Sequence, residues 1–198
     1  MKKIILDCDP GMDDSMAIIM AAKAPQLELL AVTAVSGNYP VEVTSANARK
    51  ALELLGRQDI PAARGMARPM VRPAPPDPFT HGSDGQAENF LPEPSMPLAE
   101  EHASDLIIRL ARENPGEVTV LCTGPMSNLA MALVKEPALA GQLAGVVAIS
   151  GAFGLNRYAF LNATGADGLH QGGIDGVGHS HAVDDGGVRL KAPPGGKP

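Results

Sequence analysis

Apolar runs that end at turn signals and lead into stretches of helical periodicity recur along the first 150 residues, and this alternation constrains the fold more than any other feature. Ile4 to Leu6 end in Asp7, Cys8 and Asp9, Pro10-Gly11 breaks the chain, and Met12 to Ala24 carries apolar residues at helical spacing. Leu27 to Ser36 is apolar and β-branched, Gly37-Asn38 marks a turn, and Val41 to Leu55 is amphipathic up to Gly56. Ile60 to Arg64 reads as a short third strand, Leu98 to Asn114 as a helix stopped by Pro115-Gly116, and Glu117 to Cys122 as a buried strand. Helices over Met126 to Val134 and Pro137 to Leu143, then a strand over Gly145 to Ser150, complete the series. Strands and helices in this alternation predict an α/β fold, an open and mainly parallel sheet flanked by helices with a Rossmann-like core. Ligands of such sheets bind outside the carboxyl ends of the strands, so the polar residues at strand ends matter most.

Composition narrows the partners. With 198 residues and 44% hydrophobic content the chain has material for a sizeable core. The net charge is −6 and no basic run occurs, which disfavours nucleic acid and anionic membranes. Only three apolar residues stand between the two N-terminal lysines and Asp7, too few for a signal-peptide core or a membrane span, so the expected location is cytoplasmic. Cys8 and Cys122 each sit in an apolar run, the habitat of a buried free thiol. Nine of the 18 prolines lie between Pro61 and Pro97, which marks residues 69–97 as a long loop. Ten of the 22 glycines lie between Gly165 and Gly196, in a stretch without hydrophobic periodicity. The chain therefore divides into an α/β domain over residues 1–164 and a glycine-rich tail over 165–198, expected to be irregular or disordered and to supply no core element.

The segment Asp7-Cys8-Asp9-Pro10-Gly11-Met12-Asp13-Asp14 carries the most chemistry. Four carboxylates across one strand-to-helix turn repel one another unless a cation joins them, and oxygen ligands without His or Cys suit calcium or magnesium better than zinc. The plainer reading is that Asp13 and Asp14 favour a helix N-terminus while Asp7 and Asp9 are solvated loop charges. Asn38, Thr123 and Asn128 fall at other strand ends, although Asn38 alone reads as a turn residue and Asn128 as a helix-start residue. Thr123 is placed to offer a backbone carbonyl to a hard cation.

The order and spacing of DCDPGMDD, Gly37-Asn38, His81-Gly82 with Gly85, Thr123-Gly124-Pro125-Met126-Ser127-Asn128 and Ser150-Gly151-Ala152-Phe153 resemble the inosine-uridine-type nucleoside hydrolases over about residues 2 to 164. That resemblance implies cleavage of the N-glycosidic bond of ribonucleosides with calcium as cofactor. It implies that Asp9 and Asp14 ligate calcium, that Thr123 adds its main-chain carbonyl, that Asp13 hydrogen-bonds a ribose hydroxyl, and that Asn38 lines the site near the sugar. Asp9 is the candidate base, and Asp7 a residue that holds the turn or a further ligand. His81, in the loop expected to fold over the nucleobase, is the candidate that helps the leaving group, although a lone loop histidine is more often solvent-exposed. Asn162 is matched loosely to a ribose-contacting asparagine. Members of the family are commonly dimers or tetramers, so a homodimer or homotetramer is expected.

The chain departs from the family after Thr164. The Glu and Asn expected shortly after the Gly151-Ala152-Phe153 turn are replaced by ATGADGLHQGGIDG, and the family's late His-Asp pair is missing. His179, His181, Asp184 and Asp185 lie among glycines and are an unfavourable substitute, since a flexible segment must lose backbone entropy to build a site. The break is read as a shifted reading frame or an altered terminus, and the expectation is weaker calcium binding and impaired hydrolysis. Two alternatives stand beside it. One is a metal-dependent phosphohydrolase of the haloacid-dehalogenase type, which shares a DxD at a first strand end but not the Pro10-Gly11 turn. The other is a non-catalytic nucleoside- or calcium-binding remnant.

Overall fold

A computed structural model describes residues 1–71 and 80–149, together with the backbone of 180–182 and 188–190. Strand β1 (Lys2–Cys8) leads into helix α1 (Met12–Lys23), β2 (Leu27–Ala34) into α2 (Val41–Leu54), and β3 (Ala62–Arg64) into α3 (Ala103–Glu113). Strand β4 (Val118–Cys122) is followed by α4 (Ser127–Lys135), the short α5 (Leu139–Gln142) and β5 (Gly145–Ala148). Two three-residue strands follow, β6 (Ser180–Ala182) and β7 (Val188–Leu190).

The sheet order is β3-β2-β1-β4-β5-β7-β6. The first five strands are parallel, as the alternation predicts, and β7 and β6 add antiparallel to the β5 edge. The chain runs outward from β1 through β2 to β3, then returns to pair β4 on the other side of β1. The carboxyl ends of β1 and β4 therefore flank the point at which strand order reverses, where α/β sheets open a ligand crevice.

Side-chain alternation along β1 builds the layers. Ile4, Leu6 and Cys8 pack in a cluster with Ile18, Ala48 and Leu52 of α1 and α2. Ile5 faces the opposite way and packs with Leu106, Ile107, Leu129 and Leu139 of α3, α4 and α5. Each such fully buried leucine or isoleucine contributes roughly 1.5–3 kcal/mol relative to exposure. Cys8 and Cys122 are buried free thiols in opposite layers, as the apolar context predicts, and burial pushes both thiols up out of the reactive range.

One expectation is corrected. Helix α3 starts at Ala103, five residues later than the periodicity suggests, because the Ala99 amide donates to the Ala62 carbonyl (2.8 Å) and the preceding segment runs beside β3. The His102 side chain then caps the helix by accepting from the Ser104 amide. Most of the tail over 165–198 lies outside the described residues, and the six that are described form β6 and β7, which the missing periodicity gave no reason to expect. Among the described residues no helix is long and apolar enough to cross a membrane.

Candidate active site

Asp9 follows the end of β1, and its carboxylate fills the space between two glycines. A Cβ placed on Gly37 would lie 1.9 Å from Asp9 Oδ2, and one on Gly124 would lie 2.5 Å from Asp9 Oδ1. The turns after β2 and β4 carry glycine for room, since any side chain there would displace the carboxylate. The Asn38 amide donates to Asp9 Oδ2 (2.9 Å), and the Asp9 amide donates to Asp14 Oδ2 (2.9 Å), so Asp14 reaches back from the first turn of α1 to close the Pro10-Gly11 turn.

Asp9 and Asp14 are each only 6% exposed. Burial first, and then the neighbouring Asp14 charge, push Asp9 well above the ordinary carboxylate range, and burial likewise raises Asp14. The two carboxyl groups approach within hydrogen-bonding reach, which two anions sustain only with a shared proton or a cation between them. The Thr123 hydroxyl lies near Asp14 and favours its charged form, yet its Oγ1 is buried without a hydrogen bond of good geometry. A buried pair of carboxylates beside a main-chain carbonyl is an all-oxygen donor set of the kind that suits a hard divalent cation, and Asp9, Asp14 and Thr123 fit calcium in that respect. Among the described residues no three His, Cys, Asp or Glu side chains gather as a metal-holding group, so a cation here would need neutral oxygens beside the two carboxylates.

Behind this pair lies a buried brace. Asp7 is fully buried, and burial raises it to about 7 against the opposing hydrogen bonds from Thr33 and Asn128. Asp7 Oδ1 accepts from Thr33 Oγ1 (2.6 Å) and Asn128 Nδ2 (2.8 Å), while its Oδ2 has no partner. Asn128 Nδ2 also donates to the Ala34 carbonyl (3.1 Å), and its Oδ1 accepts from the Met66 amide (2.7 Å). One side chain at the start of α4 thus joins the ends of β1 and β2 and the segment after β3. Asp7 is a supporting residue, as the resemblance implies, whereas Asn128, read in the sequence as a helix-start residue, is a cross-strand tie.

His81 corrects an expectation. A lone loop histidine is usually exposed, but this one is 6% exposed. Its ring lies over Gly11, where an added Cβ would sit 2.7 Å from Nδ1, and the Met12 amide donates to Nδ1 at 3.4 Å. Its Nε2 lies 3.0 Å from the Asn38 side-chain Nδ2, a contact in which the donor and acceptor roles follow the ring tautomer. Asp13 stands at the mouth with its side chain 79% exposed, its Oδ1 3.9 Å from His81 Nδ1. The structure therefore brings Asp9, Asp14, Thr123, Asn38, Asp13 and His81 together at the β1/β4 crevice. Asn162 and the 150–153 turn lie outside the described residues.

Asn47, Ser15 and Gln86 escaped the sequence reading. All three are buried polar residues beside the Pro10-Gly11 turn. Asn47 carried a readable signal, because it falls on the face of α2 that also buries Thr44, Ala48 and Ala51.

Residues 4–175 match the family described as inosine-uridine preferring nucleoside hydrolase. Uridine nucleosidase 1 of Arabidopsis thaliana is 39% identical over 153 residues, which cover 77% of this chain and 46% of that protein. A solved plant nucleoside hydrolase superposes with a TM-score of 0.75 at 35% identity, covering 78% of this chain and 49% of the other. The purine-preferring ribonucleoside hydrolase of Gardnerella vaginalis gives a TM-score of 0.73 at 31% identity over 76% of this chain and 49% of that one. The chain spans about half the length of the curated relatives it matches. On its sequence, its sheet order and the acid pair at its strand crossover, the chain belongs to the inosine-uridine preferring nucleoside hydrolase family.

Proposed function

We propose that the chain binds a ribonucleoside at the β1/β4 crevice and hydrolyses its N-glycosidic bond to free base and ribose, with calcium as cofactor. The observation that carries this reading is the buried Asp9–Asp14 pair, wedged between Gly37 and Gly124, in a chain of this family. Calcium, when bound by Asp9, Asp14 and the main-chain carbonyl of Thr123, supplies a hard positive centre that neutralises the pair and makes a neighbouring water more acidic.

The remaining work falls to the chain. An Asp9 carboxylate oxygen takes the proton of the attacking water as the water adds to C1′ and the sugar develops oxocarbenium character. Asp13, exposed at the mouth, accepts a hydrogen bond from a ribose hydroxyl and orients the ring. Asn38 lines the sugar side with its amide, and Asn162 is proposed as a further sugar contact. His81 donates a proton to the departing base, which otherwise leaves as a poor anionic leaving group.

Ribose release from uridine and from inosine, each with calcium and with a chelator, tests the proposal. Calcium-dependent release from either nucleoside supports it, and the faster substrate assigns base preference, on which the relatives diverge between uridine and purines. Because the chain matches only about half of its relatives' length, a binding-only role is the second reading. Nucleoside-induced thermal stabilisation without ribose release would favour it.

A further inference from the structure

The loop that carries His81 is fastened to the β1-α1 turn by side chains with no direct part in the proposed chemistry. Asn47 Nδ2 donates to the Pro10 carbonyl (3.1 Å) and to the Asp84 carbonyl (3.2 Å), tying turn to loop through one buried amide. Gln86 Nε2 donates to Ser15 Oγ (2.7 Å), and Ser15 Oγ donates to the Gly11 carbonyl (2.7 Å). Two separate bridges thus converge on Pro10 and Gly11, the carbonyls on either side of the spot where the His81 ring packs. The Tyr39 hydroxyl donates to the Gly82 carbonyl from the β2 side, and the Ala87 amide donates to the His81 carbonyl (2.8 Å).

The loop holds an unfavourable backbone to make these contacts. Ala87, Glu88 and Phe90 have φ of 55°, 59° and 46°, a left-handed conformation that costs non-glycine residues roughly 1–2 kcal/mol each. Such a segment persists only where its surroundings over-determine it; here the Asp84 carboxylate accepts the amides of Glu88 and Phe90 within the loop, and the two bridges fix the loop to the turn.

We infer that Asn47 and Gln86 are positioning residues: they hold His81 against Gly11 before any nucleoside arrives, so that the group facing the departing base is in place from the start. The contribution to catalysis rests on the nucleoside-hydrolase reading, whereas the positioning itself does not.

Site-resolved modification of histidines by diethyl pyrocarbonate, read by mass spectrometry on the full chain, separates the two. In the unmodified sequence buried His81 reacts slowly and partly buried His102 serves as internal reference. Asn47→Ala and Gln86→Ala are each expected to raise the His81 rate about tenfold relative to His102, as losing a buried hydrogen bond opens the loop locally. An unchanged His81 rate in both variants overturns the proposal, as does a parallel rise at His81 and His102, which would mean general loosening. If Asn47→Ala does not fold, Gln86→Ala decides, since it leaves the Ser15 bond to Gly11 intact. In ribose release, Asn47→Ala is expected to lower kcat/KM about tenfold when His81 is present and to change it little in a His81→Ala background. An equal loss in both backgrounds contradicts action through His81. A wild-type chain that releases no ribose ends the nucleoside reading, while the modification rates still report on positioning.

Discussion

Gly37 and Gly124 read in the sequence as turn signals, yet neither has a positive φ, and what each provides is space for one carboxylate. Gly37→Ala places a methyl 1.9 Å from Asp9 Oδ2, so the carboxylate must move. The expected outcome is a loss of about 2 kcal/mol of stability from overpacking, together with weaker calcium binding, read by thermal denaturation with and without the ion. Asn128→Ala removes three bonds that tie the ends of β1 and β2 to the segment after β3, and leaves Asp7 with a single donor, Thr33. A cost of about 3 kcal/mol is expected in urea denaturation, without a change in m-value. Four acids in eight residues marked the segment from Asp7 to Asp14 for attention, but the choice of Asp9 and Asp14 within it came from the resemblance to the family. The burial of His81 was not, because it depends on Gly11, a residue 70 positions away whose missing side chain gives the ring its place.

Among the elements, the five parallel strands and most of the helices were legible from periodicity, since buried parallel strands and amphipathic helices each leave a local pattern. The start of α3 was not, because Ala99 spends its amide on β3, a long-range pairing that local periodicity does not contain. The loop over 80–90 was legible only as a loop. Its order comes from Asp84, whose carboxylate accepts the amides of Gln86 (2.7 Å), Glu88 (2.9 Å) and Phe90 (2.9 Å). Burial opposes ionisation of Asp84, but these three donors outweigh it and hold the carboxyl below its usual range. A carboxyl depressed in the folded state stabilises above its unfolded value, and that contribution is lost as pH falls through the folded one. The three amides are therefore expected to stay protected from hydrogen exchange at neutral pH and to lose protection selectively below about pH 4. Asp84→Asn should weaken their protection at neutral pH and remove the acid step; a step that persists in this variant would assign it to another group.

For the whole molecule, the reversal of strand order between β1 and β4 explains why one short acidic segment becomes a site. The reversal leaves a crevice at the carboxyl ends, and Asp9, Asp14 and Thr123 all stand on its rim. The alternation of elements implied an open parallel sheet, and the order β3-β2-β1-β4-β5 is the arrangement that right-handed crossovers produce from it. The antiparallel edge of β7 and β6 was illegible, because pairing to an existing sheet edge needs backbone groups more than a hydrophobic period. On the proposed function, the buried acid pair is a cation site. Titration calorimetry with calcium on the full chain, on Asp9→Ala and on Asp14→Ala tests it most directly. Single-site binding by the unmodified chain, lost in both variants, is the expected result; calcium binding unchanged in both would show that Asp9 and Asp14 hold no cation.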